Sequence, residues 1–192
     1  MYGMDCETKC NKGCLTCNLL DKSHSKIIQL LRKAREIKGI KKIFVRSGVR
    51  YDLAMNSKEY IKEISEHHIS GCLKIAPEHF SPGVLKLMNK NTNKLKEFAE
   101  LFESINMKRK QSLRHYLMIC HPGESREEII ELKEKIKNMK NIDQFQIFTP
   151  TPMTISTCMY YTGLNPYTLE KIKVVYDFKT KKDHRDIIRR VI

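Results

Sequence analysis

The stretch Leu113–Glu128, LRHYLMICHPGESREE, decides how this chain is read. Leu113, Tyr116, Leu117, Met118 and Ile119 make an apolar run of strand length, which stops at Cys120, His121, Pro122 and Gly123. Ser125 and Glu128 then stand at capping-box spacing, where side-chain oxygens satisfy the free N–H groups that open a helix. A strand, a polar corner and a capped helix make one βα unit. The same order recurs along the chain, and parallel α/β folds build their ligand sites from polar residues just past the strands.

Upstream, Gly71–Ala76 predicts a strand closed by Pro77, Glu78 and His79. Ser81-Pro82 caps a short helix over Val84–Met88, with proline where its missing N–H costs nothing. A longer helix is expected over Asn93–Ile105, with Leu95, Phe98, Ala99, Leu101, Phe102 and Ile105 inward. Earlier still, Ser25–Lys38 carries Ile27, Ile28, Leu30, Leu31, Ala34 and Ile37 at helical spacing, and Gly39 stops it. Lys42–Arg46 reads as a buried strand around Ile43, Phe44 and Val45, followed by a corner over Ser47–Asp52. Ser57 caps a helix that runs to His68.

Downstream, Ser125–Met139 predicts a helix with Ile129, Ile130, Leu132 and Ile136 on one face. Phe145, Ile147 and Phe148 mark a fourth strand, closed by Pro150 and Pro152, which cannot continue a ladder. Thr154–Tyr167 reads as irregular and Lys181–Ile192 as a last helix. The expected fold is α/β: a partial (β/α) barrel of about four parallel strands with flanking helices, since four strands do not close a barrel. The expected divisions are a cysteine-rich loop over 1–21, the partial barrel over 22–168, and the start of a basic C-terminal extension over 169–192.

At 192 residues and 41% hydrophobic, the chain has material for one core. It holds no run of about 18 apolar residues and no signal-peptide pattern, so a cytoplasmic protein without membrane contact is expected. The formal charge of +14 fits either a polyanion partner such as RNA or a lysine-rich solvated surface. Basic residues concentrate only between Lys171 and Arg190. No phosphate-cradling G-x-x-x-x-G-K, no H-E-x-x-H and no Ser/His/Asp order appears, which sets aside P-loop enzymes, zincins and acyl hydrolases.

Two groups of residues carry chemistry. Cys6, Cys10, Cys14 and Cys17 crowd the N-terminus as C-x3-C-x3-C-x2-C. The last three have the spacing that wraps thiolates around an iron–sulfur cube, while four thiolates also suit a zinc site, a four-ligand cluster or free structural thiols. Cys72, Cys120 and Cys158 lie in apolar contexts and read as core. The second group is the strand-end set Ser47, Arg50, Glu78, His79, His121 and Glu124, which parallel strands would bring to one rim. Taken singly, each is an ordinary loop or cap residue; Glu124 in particular sits where a helix dipole favours a carboxylate.

MYGMDC, GIKKIFVRSGVRYDLA, LKIAPEH, ICHPGE and TPTPMTISTCMYYTG, in this order, closely resemble the downstream half of the radical S-adenosylmethionine (radical SAM) core in the YgiQ-like proteins. The resemblance runs through essentially the whole chain. It implies part of a (β/α)6 barrel that binds a 4Fe-4S cluster and S-adenosylmethionine and cleaves the latter reductively to a 5'-deoxyadenosyl radical. In that family the three cluster cysteines follow the first barrel strand, upstream of the segment like MYGMDC. The resemblance therefore makes Cys10, Cys14 and Cys17 a second, downstream cysteine group without fixing its role, so zinc or a further cluster at Cys6, Cys10, Cys14 and Cys17 stays open as the residues leave it. The core cluster falls to the missing N-terminal half, a partner in trans. By position, Ser47, Arg50, Glu78, His121, Gly123 and Glu124 look like the rim that holds S-adenosylmethionine, with HPGE along the adenine. Its expected role is the C-terminal half of a radical SAM protein, inactive alone; the rival reading is a metal-stabilised basic module that binds RNA.

Overall fold

The computed structural model describes residues 16–90, 94–139 and 141–191. Cys6, Cys10 and Cys14 lie outside the described residues; Cys17 is a free, half-buried thiol. The chain divides into two compact units, a first built from Asn18–Pro77 and Thr92–Tyr116 and a second that includes Glu78–Asn91 and Leu117–Ile192. Among the described residues no helix is long and apolar enough to cross a membrane.

The first unit opens with α1 (Ser25–Glu36), which buries Ile28 and Leu31. The short α2 (Tyr51–Ala54) follows, then α3 (Lys58–His67), where the Ser57 hydroxyl accepts the Tyr60 N–H at 3.2 Å. Strand β1 (Cys72–Glu78) alternates half-buried and buried positions, with Leu73 and Ile75 inward. Helix α5 (Leu95–Asn106) closes the core with Phe98 and Phe102, and Tyr51 packs its ring 5.8 Å from that of Phe98. In the sequence between β1 and α5 comes α4 (Pro82–Leu87), which belongs to the second unit and is capped as expected: Ser81 accepts the Val84 N–H, and Pro82 opens the helix.

Strand β2 (Ser112–Ile119) enters the second unit at Leu117, and its Leu117 and Ile119 join a core with Ile129, Leu132 and Ile136 of α6 (Arg126–Lys137) and Ile188 of α8 (Phe178–Arg189). Strand β3 (Ile142–Ile147) and helix α7 (Ile155–Thr162) lie between. The three strands form a parallel sheet in the order β1-β2-β3, with β1 and β2 linked through helices and β2 and β3 through α6.

Among the described residues there are three strands, where four were expected. Ile43–Val45 joins no ladder: the Val45 N–H goes to the His68 carbonyl at 2.9 Å, and the Ile43 carbonyl meets the His68 ring at 2.9 Å. Pairing with β1 is delayed to Val49, which makes a single parallel bridge to Ile75. Gly48 permits that approach, because a Cβ there would stand 3.3 Å from the Ala76 methyl. Thr154–Tyr167 also departs from expectation. Thr154 caps α7 by accepting the Thr157 N–H at 3.2 Å, and Gly163 ends it with φ 68. Likewise α8 starts before Lys181, because Asp177 accepts the Thr180 N–H at 2.7 Å.

Candidate functional site

Strand β2 ends in a left-handed residue, Cys120 (φ 60), and the corner after it turns again at Gly123 (φ 90). Gly123 donates its N–H to the Lys173 carbonyl at 2.7 Å, and any side chain there would collide with Leu87, a Cβ falling 2.0 Å from its Cδ1. The corner is thus pinned from two sides. It brings together His121, Gly123 and Glu124, three of the residues singled out from sequence.

Glu124 is fully buried, and its carboxylate organises the corner. Oε1 accepts the Cys120 N–H at 2.7 Å and lies 3.2 Å from His184 Nδ1 of α8. Oε2 faces His79 Nε2 at 3.4 Å, yet the pair is not aligned as a hydrogen bond, and both atoms are buried without one. His79 Nδ1 accepts the Ser81 N–H at 2.9 Å, which leaves the ring proton on Nε2, toward Glu124. Burial alone would raise the Glu124 pKa, but the His184 hydrogen bond and the His79 ring outweigh it and hold the carboxyl below its ordinary value.

Cys120 is buried with its Sγ 3.8 Å from His184 Nδ1; burial, then the Glu124 charge, pushes its thiol up to about 12. His121 is also buried: its Nδ1 donates to the Pro122 carbonyl at 2.8 Å, and its Nε2 accepts from Ser156 Oγ at 2.8 Å. Desolvation brings this imidazole down to about 4, so it is neutral at neutral pH. Its ring meets Phe148 edge-on at 5.2 Å.

Glu78 closes β1 in the left-handed region (φ 65), and Lys90 Nζ holds its Oε1 at 2.9 Å. Its Oε2 is buried with no hydrogen-bond partner. A cavity of about 480 Å³ opens beside Gly123, lined also by Asn165, Tyr167 and Thr168, and a second of about 550 Å³ is lined by Glu124, His184, Lys173, Lys179, Arg126 and Asp183.

Ser47 and Arg50 belong to the first unit. Ser47 is exposed, and the Arg50 guanidinium forks onto the buried Asp52 at 3.0 and 3.2 Å. Sequence reasoning overlooked His184 altogether and read Cys120 as plain core; Cys158, also read as core, is exposed. The signal for His184 was slight: one histidine in a basic helix, 60 positions after Glu124.

These features define an α/β chain in which the parallel strands β1 and β2 end in polar, left-handed corners. Its relatives carry the name UPF0313. The chain is 45% identical to a UPF0313 protein of Methanosarcina acetivorans over 98% of its own length and 27% of that relative. It is 46% identical to one from Clostridium botulinum strain Loch Maree over 93% and 29%, and 45% identical to one from Methanocaldococcus jannaschii over 97% and 34%. The chain thus spans about a third or less of these relatives. Residues 143–190 match the family described as a domain of unknown function, DUF3362.

Proposed function

We propose that these residues form part of a radical SAM barrel and contribute the rim that binds S-adenosylmethionine, within a protein of the kind the longer UPF0313 relatives represent. The observation that carries the reading is Glu78 Oε2, a buried acceptor without a partner at the C-terminal end of a parallel strand. An orphaned carboxylate oxygen is costly to keep, and a ligand N–H or O–H that fills it recovers that cost. The methionyl ammonium and the ribose hydroxyls offer such donors. The cavity beside Gly123 has a volume suited to a small cofactor. Glu124 serves the rim by fixing the Cys120 N–H, and neutral His121 offers no charge to repel the sulfonium.

When bound next to a reduced 4Fe-4S cluster, S-adenosylmethionine supplies a 5'-deoxyadenosyl radical; the chain's own part is to hold and orient it. Cys6, Cys10, Cys14 and Cys17 would hold zinc or a further cluster. The reading is tested by equilibrium dialysis of S-adenosylmethionine against this protein and its Glu78→Gln variant. Saturable binding that weakens at least about tenfold in the variant supports it, as for a lost charge-assisted bond. Equal binding by both, or none by either, refutes it.

A second reading, an RNA-binding module, draws on the exposed aromatics of the C-terminal part. Tyr161, Tyr176 and Phe178 are exposed, and Lys181 Nζ sits 5.4 Å over the Tyr160 ring. Stacking faces beside cations are what single-stranded RNA uses. Binding of an oligonucleotide that falls steeply with salt would favour it over the enzyme reading.

A further inference from the structure

Cys120, Glu124 and His184 come together from three places: the end of β2, the corner after it, and the middle of α8. All three are buried, and one ligand atom from each (the Cys120 sulfur, a Glu124 carboxylate oxygen and a His184 ring nitrogen) lies within 4.8 Å of the other two. Buried thiol, carboxylate and imidazole seldom share one spot without a purpose, because each must be satisfied away from water. We propose that they form a site for one divalent zinc-class ion, coordinated by Cys120 Sγ, Glu124 Oε1 and His184 Nδ1, with the fourth position open to the adjoining cavity.

Distances, charge and the surrounding groups argue for this. Zinc bonds of about 2.0–2.3 Å in a tetrahedron place neighbouring ligand atoms about 3.3–3.6 Å apart. The structure has 3.2 Å between Glu124 Oε1 and His184 Nδ1, and 3.8 Å between Cys120 Sγ and His184 Nδ1. Two edges of the tetrahedron are therefore within a few tenths of an ångström of their final lengths. A thiolate and a carboxylate balance a divalent ion, so the filled site would bury no net charge. The thiol proton leaves for solvent and the His184 ring takes the tautomer with its proton on Nε2, so Nδ1 is free to coordinate. A mixed S, N and O set selects zinc or its transition-metal neighbours over magnesium and calcium.

The second observation is the pair left without hydrogen bonds, Glu124 Oε2 and His79 Nε2, 3.4 Å apart and both buried. His79 is held by the Ser81 N–H so that its own Nε2–H is toward that oxygen. Metal-bound carboxylates are oriented by such donors. A small shift of the carboxylate toward an ion would align the bond that is now out of line, which makes His79 a positioning residue. The cavity of about 550 Å³ bordered by Glu124 and His184 gives a water or a ligand atom access to the fourth position.

The N-terminal thiols must be removed from the test. In protein carrying Cys6→Ser, Cys10→Ser, Cys14→Ser and Cys17→Ser, titration with Co2+ should produce a thiolate-to-cobalt absorption band that saturates at one ion per chain. Cys120→Ser in that background should abolish the band, and Zn2+ should displace Co2+ competitively. His184→Gln should weaken affinity at least about tenfold, and His79→Gln about 10–100-fold with the band retained. Far-ultraviolet circular dichroism without metal checks the fold of each variant, and if Cys120→Ser unfolds, His184→Gln decides. No band in the background protein, a band that survives Cys120→Ser, or an unchanged affinity in His184→Gln overturns the proposal. The titration is done without S-adenosylmethionine, so its failure leaves the rim reading standing, and the reverse.

Discussion

The Glu124 carboxylate closes back on the amide of Cys120, four residues before it, at 2.7 Å, with neither residue open to solvent. This bond spans the HPGE corner and fixes the point where β2 stops. Cys120 has φ 60, a region that a residue with a Cβ enters only when its surroundings hold it there.

Glu124→Ala should destabilise the protein by at least about 1–3 kcal/mol, the cost of leaving a buried N–H unpaired. Glu124→Gln keeps an acceptor oxygen for the Cys120 N–H and should cost less. Urea denaturation of both variants checks the order, and equal losses would mean that the corner depends on the charge rather than on the bond.

Gly123→Ala meets two obstacles, and they separate experimentally. The Cβ clash is with the far end of Leu87, which can turn aside; the backbone at φ 90 cannot be relieved in that way. The expected loss is about 1–3 kcal/mol. Combining it with Leu87→Ala should leave most of that loss in place, read against Leu87→Ala alone in thermal melts. Full recovery in the double variant would assign the effect to sterics.

The parts of this fold legible in the sequence were those written in adjacent residues. Ser57, Ser81-Pro82 and Ser125 with Glu128 announce helix starts because a cap needs only its own first turn: the Ser125 N–H does bond Glu128 Oε2 at 2.6 Å. Strands β1 and β2 were legible through their apolar alternation and abrupt polar ends. The misreadings came where a distant partner decided. Ile43–Val45 looks like a strand, yet His68, at the end of α3, takes its hydrogen bonds. Thr154–Tyr167 carries β-branched residues that disguise a helix which Thr154 and Gly163 cap at either end. The pairing of Glu124 with His184 depends on α8 packing beside α6, a tertiary event without local signature.

That packing is itself testable. Ile188 is fully buried on α8 and shares a core with Ile129, Leu132 and Ile136 of α6. Ile188→Ala should cost about 2–5 kcal/mol through lost burial and the cavity left behind. Because His184 is one turn away on the same helix, amide exchange in α8 should accelerate more than in α3, which belongs to the first unit. Uniform acceleration would show that the two units unfold together.

Acid sensitivity of the first unit should come from Glu63. Its side chain is 5% exposed, with Arg32 Nε at 2.8 Å, Arg35 at 2.9 Å and His68 Nε2 at 3.5 Å. Burial pushes the carboxyl up, but the Arg32 hydrogen bond and the Arg35 charge pull harder, so its pKa is lowered in the folded state. A folded pKa below the unfolded value gives stability that is fully present above the unfolded value, about 4.3. It is lost as pH falls through the folded value, because the unfolded chain binds the proton first. Glu63→Gln should therefore lower the melting temperature at neutral pH and flatten its fall between about pH 5 and 3. Parallel curves for the variant and the wild type would place the acid response elsewhere.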